Sequence, residues 1–525
     1  MLRRIQKLGF IDNKIICSNL IADSGGVDLS RIIKVTLFSV ISLALFFYYI
    51  NFTFKIPIHS DAASVVLMAD AMTKGDYFLK DWYLSTGSYY TTEIFLYYLF
   101  VSVLGITPLI IKYASAIWLL GVVWCTVFLS GKTREGFKIS SSIVTFSLIA
   151  IPSQFVAGQI LNGPMHISSM LYVLLAFIFL EYVENNAVKY SLFLFLSTVS
   201  LVADPFVLWF FVLPMILTSA ILWIQERQKK HIYVVLTSVG SYILSKVILS
   251  ILSFNVPSVG IAKFVEFENI KNNIVLAIKG MLTLYDANIF GGEIASLSTI
   301  KSGIHFVLLI TIIYLIYNAV KNFSLSKKMD RMYVFLLCAI LINFFEYLIS
   351  NMPVDLGSTR YLFPMLIYIT IFIGRYGISK INILGMKKRI VLGIISLIII
   401  STYVVTPFKI NYMTENKVAT FLVENNLKHG YGSYWNSLNL TVESKGLVNV
   451  YPVVSDGEVI MPFRWLSYEK WYNQDVNFIV FSNDNWGQVN KQTVIKSFGE
   501  PTEIHKIEQH EIYVWDKSIS KKLKK

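Results

Sequence analysis

Residues 56–90 read IPIHSDAASVVLMADAMTKGDYFLKDWYLSTGSYY. With four aspartates, this segment is too polar to cross a bilayer. Its first half has apolar positions at helical spacing, and Gly75 ends that pattern. We predict an amphipathic helix lying along a membrane surface, with Ser60 as the N-cap and Asp61 in the first turn. The helix dipole favours an anion there, so Asp61 is expected to stay ionised and able to accept a proton.

The rest of the chain consists mainly of apolar blocks. Of its 525 residues, 55% are hydrophobic and 15% are charged, and the mean hydropathy is +0.59. The blocks recur about eleven times with lengths of roughly 17–23 residues, which is what crosses about 30 Å of hydrocarbon as a helix. This pattern predicts a polytopic α-helical membrane protein with about eleven transmembrane helices.

The distribution of basic residues sets the predicted topology. The net charge of +13 comes largely from short loops between apolar blocks. Basic residues placed in this way indicate how the chain is oriented in the membrane, rather than a surface that binds nucleic acid. Basic residues precede the first block, so residues 1–31 are predicted to form a cytoplasmic tail. Residues 94–104 are assigned to an interfacial helix, because 108–130 makes the better span. Counting onward, the loops that fall inside are 131–138, 226–230, 321–331 and 375–389, and all four are net positive.

The alternate loops 159–166, 255–301 and 351–359 are neutral or acidic, and the weakest predicted crossings are the pair around Asn185, with a short span from Ser191 to Ala203. The first outer loop, 51–107, is the longest region outside the membrane within the predicted transmembrane domain 32–406. An odd number of spans places residues 407–525 outside. Alternating apolar runs at 448–454, 477–482 and 511–515 predict strands, and the segment 416–425 predicts a helix. The chain is therefore expected to end in a small extracytoplasmic α/β domain.

Polar residues at the outer ends of the spans form the candidate site. His166 lies in the short second outer loop, Asp204 precedes the next helix, and Arg360 opens a late span with Tyr361. Each has a structural interpretation as well: Asp61 and Asp204 as helix caps, His166 as an interface residue, and Arg360 as a lipid-headgroup contact. Together, a carboxylate, an imidazole and a guanidinium at one surface suit an anionic lipid-linked donor and a hydroxyl acceptor.

The first outer loop also carries aromatic side chains. Trp82 and its neighbours Tyr83, Tyr89 and Tyr90 form either a wall on which a sugar stacks or an interfacial aromatic belt. Asp81 is either a substrate contact or a solvated surface carboxylate.

With these features the chain resembles the GT-C glycosyltransferases, the polytopic class that includes protein O-mannosyltransferases and oligosaccharyltransferases. The likeness rests on HSD (59–61), GDYFLKDWYLSTGSYY (75–90), a short second outer loop, RYLFP (360–364) and the soluble domain at the end. It implies inverting transfer of a sugar from a polyprenyl-phosphate carrier, such as undecaprenyl phosphate, to an extracytoplasmic acceptor such as a cell-wall glycopolymer. Asp61 matches the catalytic base of the family, and Arg360 falls where a donor-phosphate contact is expected. The candidate substrate-binding residues are Arg360, Tyr361, His166, His59, Asp204, Trp82 and Asp81.

The second outer loop departs from the family pattern. Many relatives carry an acid there, whereas QILNGPMH (159–166) offers only Asn162 and His166. We therefore predict metal-independent transfer without a cofactor, with a divalent cation as the alternative. The expected partners are the lipid-linked donor, a cell-envelope acceptor, membrane lipids, and the enzymes that synthesise and flip the donor, with no nucleic acid. The Lys-, Ile- and Asn-rich composition favours a bacterial plasma membrane.

Two other functions stay open from the sequence. A transporter or flippase of lipid-linked saccharides would carry ionisable residues near span centres and two related halves. Lys246 is one of few deep charges, and no related halves are evident. A non-enzymatic scaffold would use its outer domain to bind a cell-wall polymer.

Overall fold

The computed structural model describes residues 29–133, 135–163, 165–257, 263–321, 330–378, 396, 416–482 and 484–524. Within these ranges, eight helices are long and apolar enough to cross a membrane, or nine if one bent pair counts as a single span. The predicted eleventh span, most of the predicted cytoplasmic tail and the predicted domain boundary at 407 lie outside the described residues. The chain is thus a polytopic α-helical membrane protein, and the count of eleven spans stays a prediction.

The helices of the membrane part follow the order expected from the apolar blocks. They are α1 Leu29–Thr53, α2 Ser60–Thr73, α3 Tyr90–Leu104, α4 Leu109–Gly131, α5 Ile139–Ile149, α6 Gln154–Ile160, α7 Ile167–Tyr182, α8 Asn186–Ala203, α9 Leu208–Glu226, α10 Lys229–Leu252, α11 Ile270–Leu284, α12 Leu297–Lys321, α13 Arg331–Ile349 and α14 Leu356–Gly377. Helices α5 and α6 form the bent pair, with an angle of 81° between them. Helices α3 and α7 are both shorter than a full span, and the interfacial place of residues 94–104 stays a prediction.

Burial separates central helices from outer ones. In the most apolar 18-residue stretch of each helix, 78% of the residues are buried in α14 and 67% in α4. The share is 22% in α10 and α12 and only 11% in α1. Exposed apolar surface on this scale is stable against lipid rather than water. The outer helices are therefore the lipid-facing ones, and α4 and α14 form the centre of the bundle.

The described parts of the four predicted cytoplasmic loops lie at one end of the bundle, with residues 322–329 and 379–389 outside the described ranges. The first forms a small hairpin of strands β2, Lys132–Thr133, and β3, Gly136–Phe137. A cavity of about 450 Å³ is lined by residues from all four loops, among them Lys138, Lys230, Arg331 and Arg375. Most of its charges are paired, as in the contact of Arg331 with Glu181 at 2.9 Å. The grouping of the loops predicted from their charge is therefore observed.

Two parts of the membrane domain differ from the prediction. The span expected to begin near Ser191 begins at Asn186, because Asn185 caps the helix by accepting the Val188 N–H at 3.2 Å. The resulting helix has 18 residues and meets the length of a span. The predicted outer loop 255–301 contains a helix of its own, α11, which the sequence analysis did not predict.

The C-terminal domain contains a six-stranded mixed sheet. Its strands are β4 His429–Ser433, β5 Asn449–Ser455, β6 Ile460–Pro462, β8 Phe478–Ser482, β9 Glu503–Ile507 and β10 His510–Val514, in the order β6-β5-β4-β8-β10-β9. Strand β4 is parallel to both β5 and β8, and the other pairs are antiparallel. The described helices of the domain are α15 Lys417–Glu424, α16 Leu438–Glu443 and α17 Lys491–Phe498. The three predicted strands and the predicted helix are present.

The C-terminal domain packs directly on the first outer loop. Strand β1, Trp82–Tyr83, pairs with β7, Ser467–Tyr468, and α16 packs on α2. The helix predicted to begin at Ser60 is present, but its predicted place along an open membrane surface is wrong, since ten of its fourteen residues are buried. The C-terminal domain packs on this helix, and a local sequence pattern does not encode the position of that domain.

A buried lysine fixes the end of α1 below this junction. Lys112, on α4, is 2% exposed, and its Nζ donates to the carbonyls of Thr53 at 2.6 Å and Ile56 at 2.7 Å. These carbonyls lie at or just beyond the C-terminus of α1, where a cation is favourable. The contact ties the end of α1 to α4 just before the chain enters α2.

Candidate active site

The first turn of α2 lies at the junction of the helix bundle and the C-terminal domain. His59 is the N-cap, because its Nδ1 accepts the Ala62 N–H at 3.2 Å. The prediction of Ser60 as the cap is wrong, since its hydroxyl donates instead to the backbone carbonyl of Tyr434 in the C-terminal domain. Asp61 occupies the predicted place in the first turn and is half-buried.

Tyr434 holds the carboxylate of Asp61. Its hydroxyl donates to Oδ1 of Asp61, and its ring packs within 5.5 Å, between centroids, of Trp435, Phe463 and Trp486. Burial, and then the negative charge of Asp61, hold the pKa of Tyr434 well above its usual value of 10.0. The phenol therefore stays protonated and continues to donate. This bond leaves Oδ2 of Asp61 for another donor.

The second outer loop closes against the same turn. The amide of Asn162 donates to the carbonyl of Pro57 at 2.9 Å. Gly163 follows with φ +113°, and a Cβ at this position would lie only 2.6 Å from Cβ of Ala62. Glycine is therefore required both by the backbone conformation and by the close approach. The loop is fixed beside Asp61.

His166 and Asp204 form a buried pair. Nδ1 of His166 lies 2.6 Å from Oδ2 of Asp204, and the two residues are 8% and 1% exposed. The other oxygen, Oδ1, accepts the Phe206 N–H at 3.0 Å. The N-cap role predicted for Asp204 is wrong, because the next helix begins at Leu208 after Val207, and Asp204 instead follows the last residue of α8. A carboxylate at Nδ1 holds the imidazole in one orientation and leaves Nε2 for a ligand. The sequence placed both residues at this surface but did not predict that they pair.

Arg360 and Tyr361 complete the group. Nη2 of Arg360 donates to the Tyr361 hydroxyl at 3.2 Å, and the guanidinium carbon lies 5.0 Å from the centre of the Tyr361 ring. That ring is 6.1 Å from His166 and 5.7 Å from Phe206. The charges of Asp61 and Arg360 also interact across the site. Arg360, Tyr361 and His166 thus lie together, with the charge of Asp61 within electrostatic reach of Arg360.

Two predicted site residues lie elsewhere. Trp82 is 1% exposed in strand β1, with its ring centroid 5.6 Å from that of Tyr468 and 5.1 Å from that of Trp471. Asp81 pairs with Lys470 at 2.5 Å. Both belong to the contact between the outer loop and the C-terminal domain. The structure therefore groups His59, Asp61, His166, Asp204, Arg360 and Tyr361, and it separates Trp82 and Asp81 from them.

One acidic residue near the site escaped the sequence analysis. Glu93, in the interfacial helix α3, is 1% exposed, and its Oε1 has no hydrogen-bond partner in the described part of the chain. Burial raises its pKa to about 8, so this carboxyl is largely protonated at neutral pH. It interacts electrostatically with Asp204. In the sequence, Glu93 is the single charged residue of the run YTTEIFLYYLF, and nothing in that run indicates that its carboxyl is buried near the site.

Comparisons with known proteins give a likeness in fold. No protein-family model matches the sequence, and no curated protein is similar to it in sequence. The crystal structure of ArnT from Cupriavidus metallidurans bound to undecaprenyl phosphate is 10% identical, with a TM-score of 0.49, and the match covers 91% of this chain and 97% of that one. The structure of the same protein in the apo state gives 10% identity and a TM-score of 0.44, covering 94% of this chain and 100% of that one. At this level of similarity, any assignment of function must rest on the residues of the site itself.

Proposed function

We propose that the protein is a membrane glycosyltransferase that moves a sugar from a polyprenyl-phosphate donor to an extracytoplasmic acceptor, such as a cell-wall glycopolymer, with inversion at the anomeric carbon. Undecaprenyl phosphate, the ligand named for one of the two similar structures, is the carrier that we propose. The single observation that supports this function best is the arrangement of Asp61 and Arg360. Oδ1 of Asp61 accepts the Tyr434 hydroxyl, and the negative charge of Asp61 reaches the Arg360 guanidinium, which lies beside Tyr361, at the end of the bundle that carries the C-terminal domain.

The reaction needs these two charges in different places. As the acceptor oxygen bonds to the anomeric carbon, its proton passes to Oδ2 of Asp61. The bond between that carbon and the phosphate oxygen breaks, and its electron pair leaves with the polyprenyl phosphate. The leaving group therefore gains negative charge, which the guanidinium of Arg360 stabilises. Attack opposite to the leaving group gives inversion.

The other grouped residues are proposed to bind the substrate. Nε2 of His166, oriented by Asp204, is available to a phosphate or a hydroxyl. Tyr361 keeps the Arg360 side chain in place through its hydroxyl and its ring. His59 caps the helix that presents Asp61, and its ring lies 6.0 Å from that of Trp435. We also propose the cellular setting predicted from the sequence: a bacterial plasma membrane, with other enzymes that make and flip the donor.

The envelope glycans of cells that contain or lack this protein test the proposed function. We expect cells without it to lose one sugar from a single envelope polymer. Restoring the wild-type gene should restore that sugar, and restoring the Asp61→Asn variant at equal membrane abundance should not. An envelope with the same sugar composition in all three strains would contradict the proposal. The missing sugar also identifies the donor for assays with purified protein.

Chelation tests whether the transfer needs a metal. Because the proposed mechanism uses Arg360 rather than a cation to stabilise the leaving phosphate, we expect EDTA to leave the initial rate of transfer within about twofold of the untreated rate. The measurement uses the purified protein in lipid nanodiscs and the donor identified above. Loss of activity with EDTA, followed by recovery with Mn²⁺ or Mg²⁺ but not Ca²⁺, would show that a divalent cation takes part.

A further inference from the structure

A second cleft lies between the first outer loop and the C-terminal domain. Its cavity has a volume of about 330 Å³, which falls in the range of roughly 300–1,000 Å³ typical of small-molecule sites. One wall comes from α2 and the loop after it, with Asp70, Lys74 and Asp76. The opposite wall comes from the C-terminal domain and includes Asn449 and Trp471. The cleft thus exists only where the two parts meet.

Aromatic rings form much of its lining. Trp82, Tyr451, Tyr468 and Trp471 all border the cavity. The rings of Tyr451 and Trp471 stack at 5.6 Å, and Trp82 meets Trp471 edge to face at 5.1 Å. Trp471 and Tyr468 retain exposed surface. Such rings accept the apolar C–H face of a pyranose.

Two of the residues that line this cavity, Asp76 and Trp82, each carry a buried polar atom without a protein partner among the described residues. These atoms are Oδ2 of Asp76 and Nε1 of Trp82. The Trp82 side chain is 1% exposed, so its N–H is shielded from bulk water. Leaving a buried donor and a buried acceptor unpaired is costly. A ligand with hydroxyl groups would satisfy both, since a hydroxyl donates and accepts.

The composition of the cleft favours a saccharide over other ligands. A lipid tail would leave the carboxylate and the indole N–H unpaired. A nucleic acid would meet two aspartates, of which only Asp70 is neutralised, by Lys74 at 2.6 Å. A saccharide alone among these ligands offers both apolar ring faces and a high density of hydroxyls.

The cleft is separate from the reacting centre. Asp70 lies nine residues after Asp61 on α2, which places it about 14 Å further along the helix axis. At 100° per residue the two side chains also leave the helix in opposite directions. We propose that this cleft binds a sugar unit of the acceptor glycan, remote from the hydroxyl that reacts at Asp61. Identification of the bound saccharide as the acceptor rests on the proposed function, whereas saccharide binding itself does not.

Ligand-observed NMR on the full chain in lipid nanodiscs tests the cleft. The probes are maltotetraose, mannotetraose and chitotetraose. We expect the wild-type protein to bind at least one of them, and Asp76→Asn to weaken that binding about tenfold, as for a lost hydrogen bond to a charged acceptor. Trp82→Phe, which keeps a ring but removes the N–H, should also weaken it. Asp516→Asn, a matched change at an exposed site of the C-terminal domain, should bind as the wild type does.

The Asp61→Asn variant separates this inference from the proposed function. It should bind the probe with unchanged affinity, whether or not it transfers sugar. If Asp61→Asn abolishes binding and Asp76→Asn does not affect it, the saccharide binds at the reacting centre. That result would overturn the inference. Failure of the wild-type protein to bind any of the three probes would overturn it as well. Unfolding temperatures equal to that of the wild type exclude misfolding as the cause of any loss.

Discussion

Replacing Asp61 with asparagine is expected to lower the rate of sugar transfer by roughly 10²–10⁴-fold, the contribution typical of a general base. Asparagine has the same shape and its carbonyl oxygen can still accept the Tyr434 hydroxyl, but the amide cannot take a proton from the acceptor. The helix should stay capped, because the cap is His59. The measurement is the initial rate of transfer by purified protein in lipid nanodiscs, with the donor identified by the envelope comparison.

Two further variants test whether the lower rate of Asp61→Asn comes from loss of the base. Asp516→Asn changes an exposed aspartate of the C-terminal domain in the same way and should keep the wild-type rate. Tyr434→Phe removes the hydroxyl that donates to Asp61 but leaves the base in place. We expect it to lose about tenfold in rate, the value of one hydrogen bond to a charged group. An Asp61→Asn protein that retains more than a tenth of the wild-type rate would assign the base to another residue.

Much of the fold could be predicted because it depends on local pattern. The apolar blocks correspond to helices of span length, and the alternating runs of the C-terminal segment correspond to strands β5, β8 and β10. The grouping of the basic loops followed from charge alone, and Lys138, Lys230, Arg331 and Arg375 do line one cavity. These features depend on transfer between water and lipid, which each segment undergoes largely by itself.

The errors concern contacts between distant parts of the chain. Ser60 fits the local pattern of an N-cap, but its hydroxyl bonds to Tyr434, 374 positions away. The local pattern predicts Asp204 as the cap of the next helix, but that helix begins after Val207, and the carboxylate instead holds His166, which lies 38 positions earlier. Helix α2 has the spacing of an amphipathic helix, yet ten of its fourteen residues are buried and α16 of the C-terminal domain packs on it. A single sequence carries no direct record of such proximity.

In the candidate site, too, some features follow from the local sequence and others depend on contacts between distant parts of the chain. Asp61, His166 and Arg360 could each be selected, because topology places them at one membrane surface. The role of Tyr434 could not be predicted, because it depends on how the C-terminal domain docks. The pairing of β1 with β7 is one part of that docking, and each of these strands is only two residues long. Such short strands are stabilised by tertiary packing and have no clear sequence signal.

Replacing Arg360 with alanine is expected to lower kcat/KM for the lipid-linked donor by roughly 10²–10³-fold, the effect of removing one group that stabilises charge in the transition state. The guanidinium is half-buried beside Tyr361, so water would replace it poorly as a partner for the leaving phosphate. The measurement is kcat and KM for the donor, determined separately for the purified protein in lipid nanodiscs.

Lysine at the same position distinguishes charge from geometry. Arg360→Lys keeps the positive charge but loses the planar fork that binds two phosphate oxygens and the contact with the Tyr361 hydroxyl. We expect it to fall between the wild type and Arg360→Ala, with most of the loss in kcat if the fork acts in the transition state. Arg227→Lys, at the exposed end of α9, serves as the matched control and should be unaffected.

The combination of the two site variants separates the enzyme from the alternatives. A scaffold or a flippase has no acceptor hydroxyl to deprotonate, so Asp61→Asn would leave its function intact. It could still use Arg360 to hold a lipid phosphate, and Arg360→Ala would then weaken lipid binding alone. The glycosyltransferase requires that Asp61→Asn retain donor binding and lose turnover, and that Arg360→Ala lose both. If both variants keep the turnover rate of the wild type, neither Asp61 nor Arg360 takes part in the reaction.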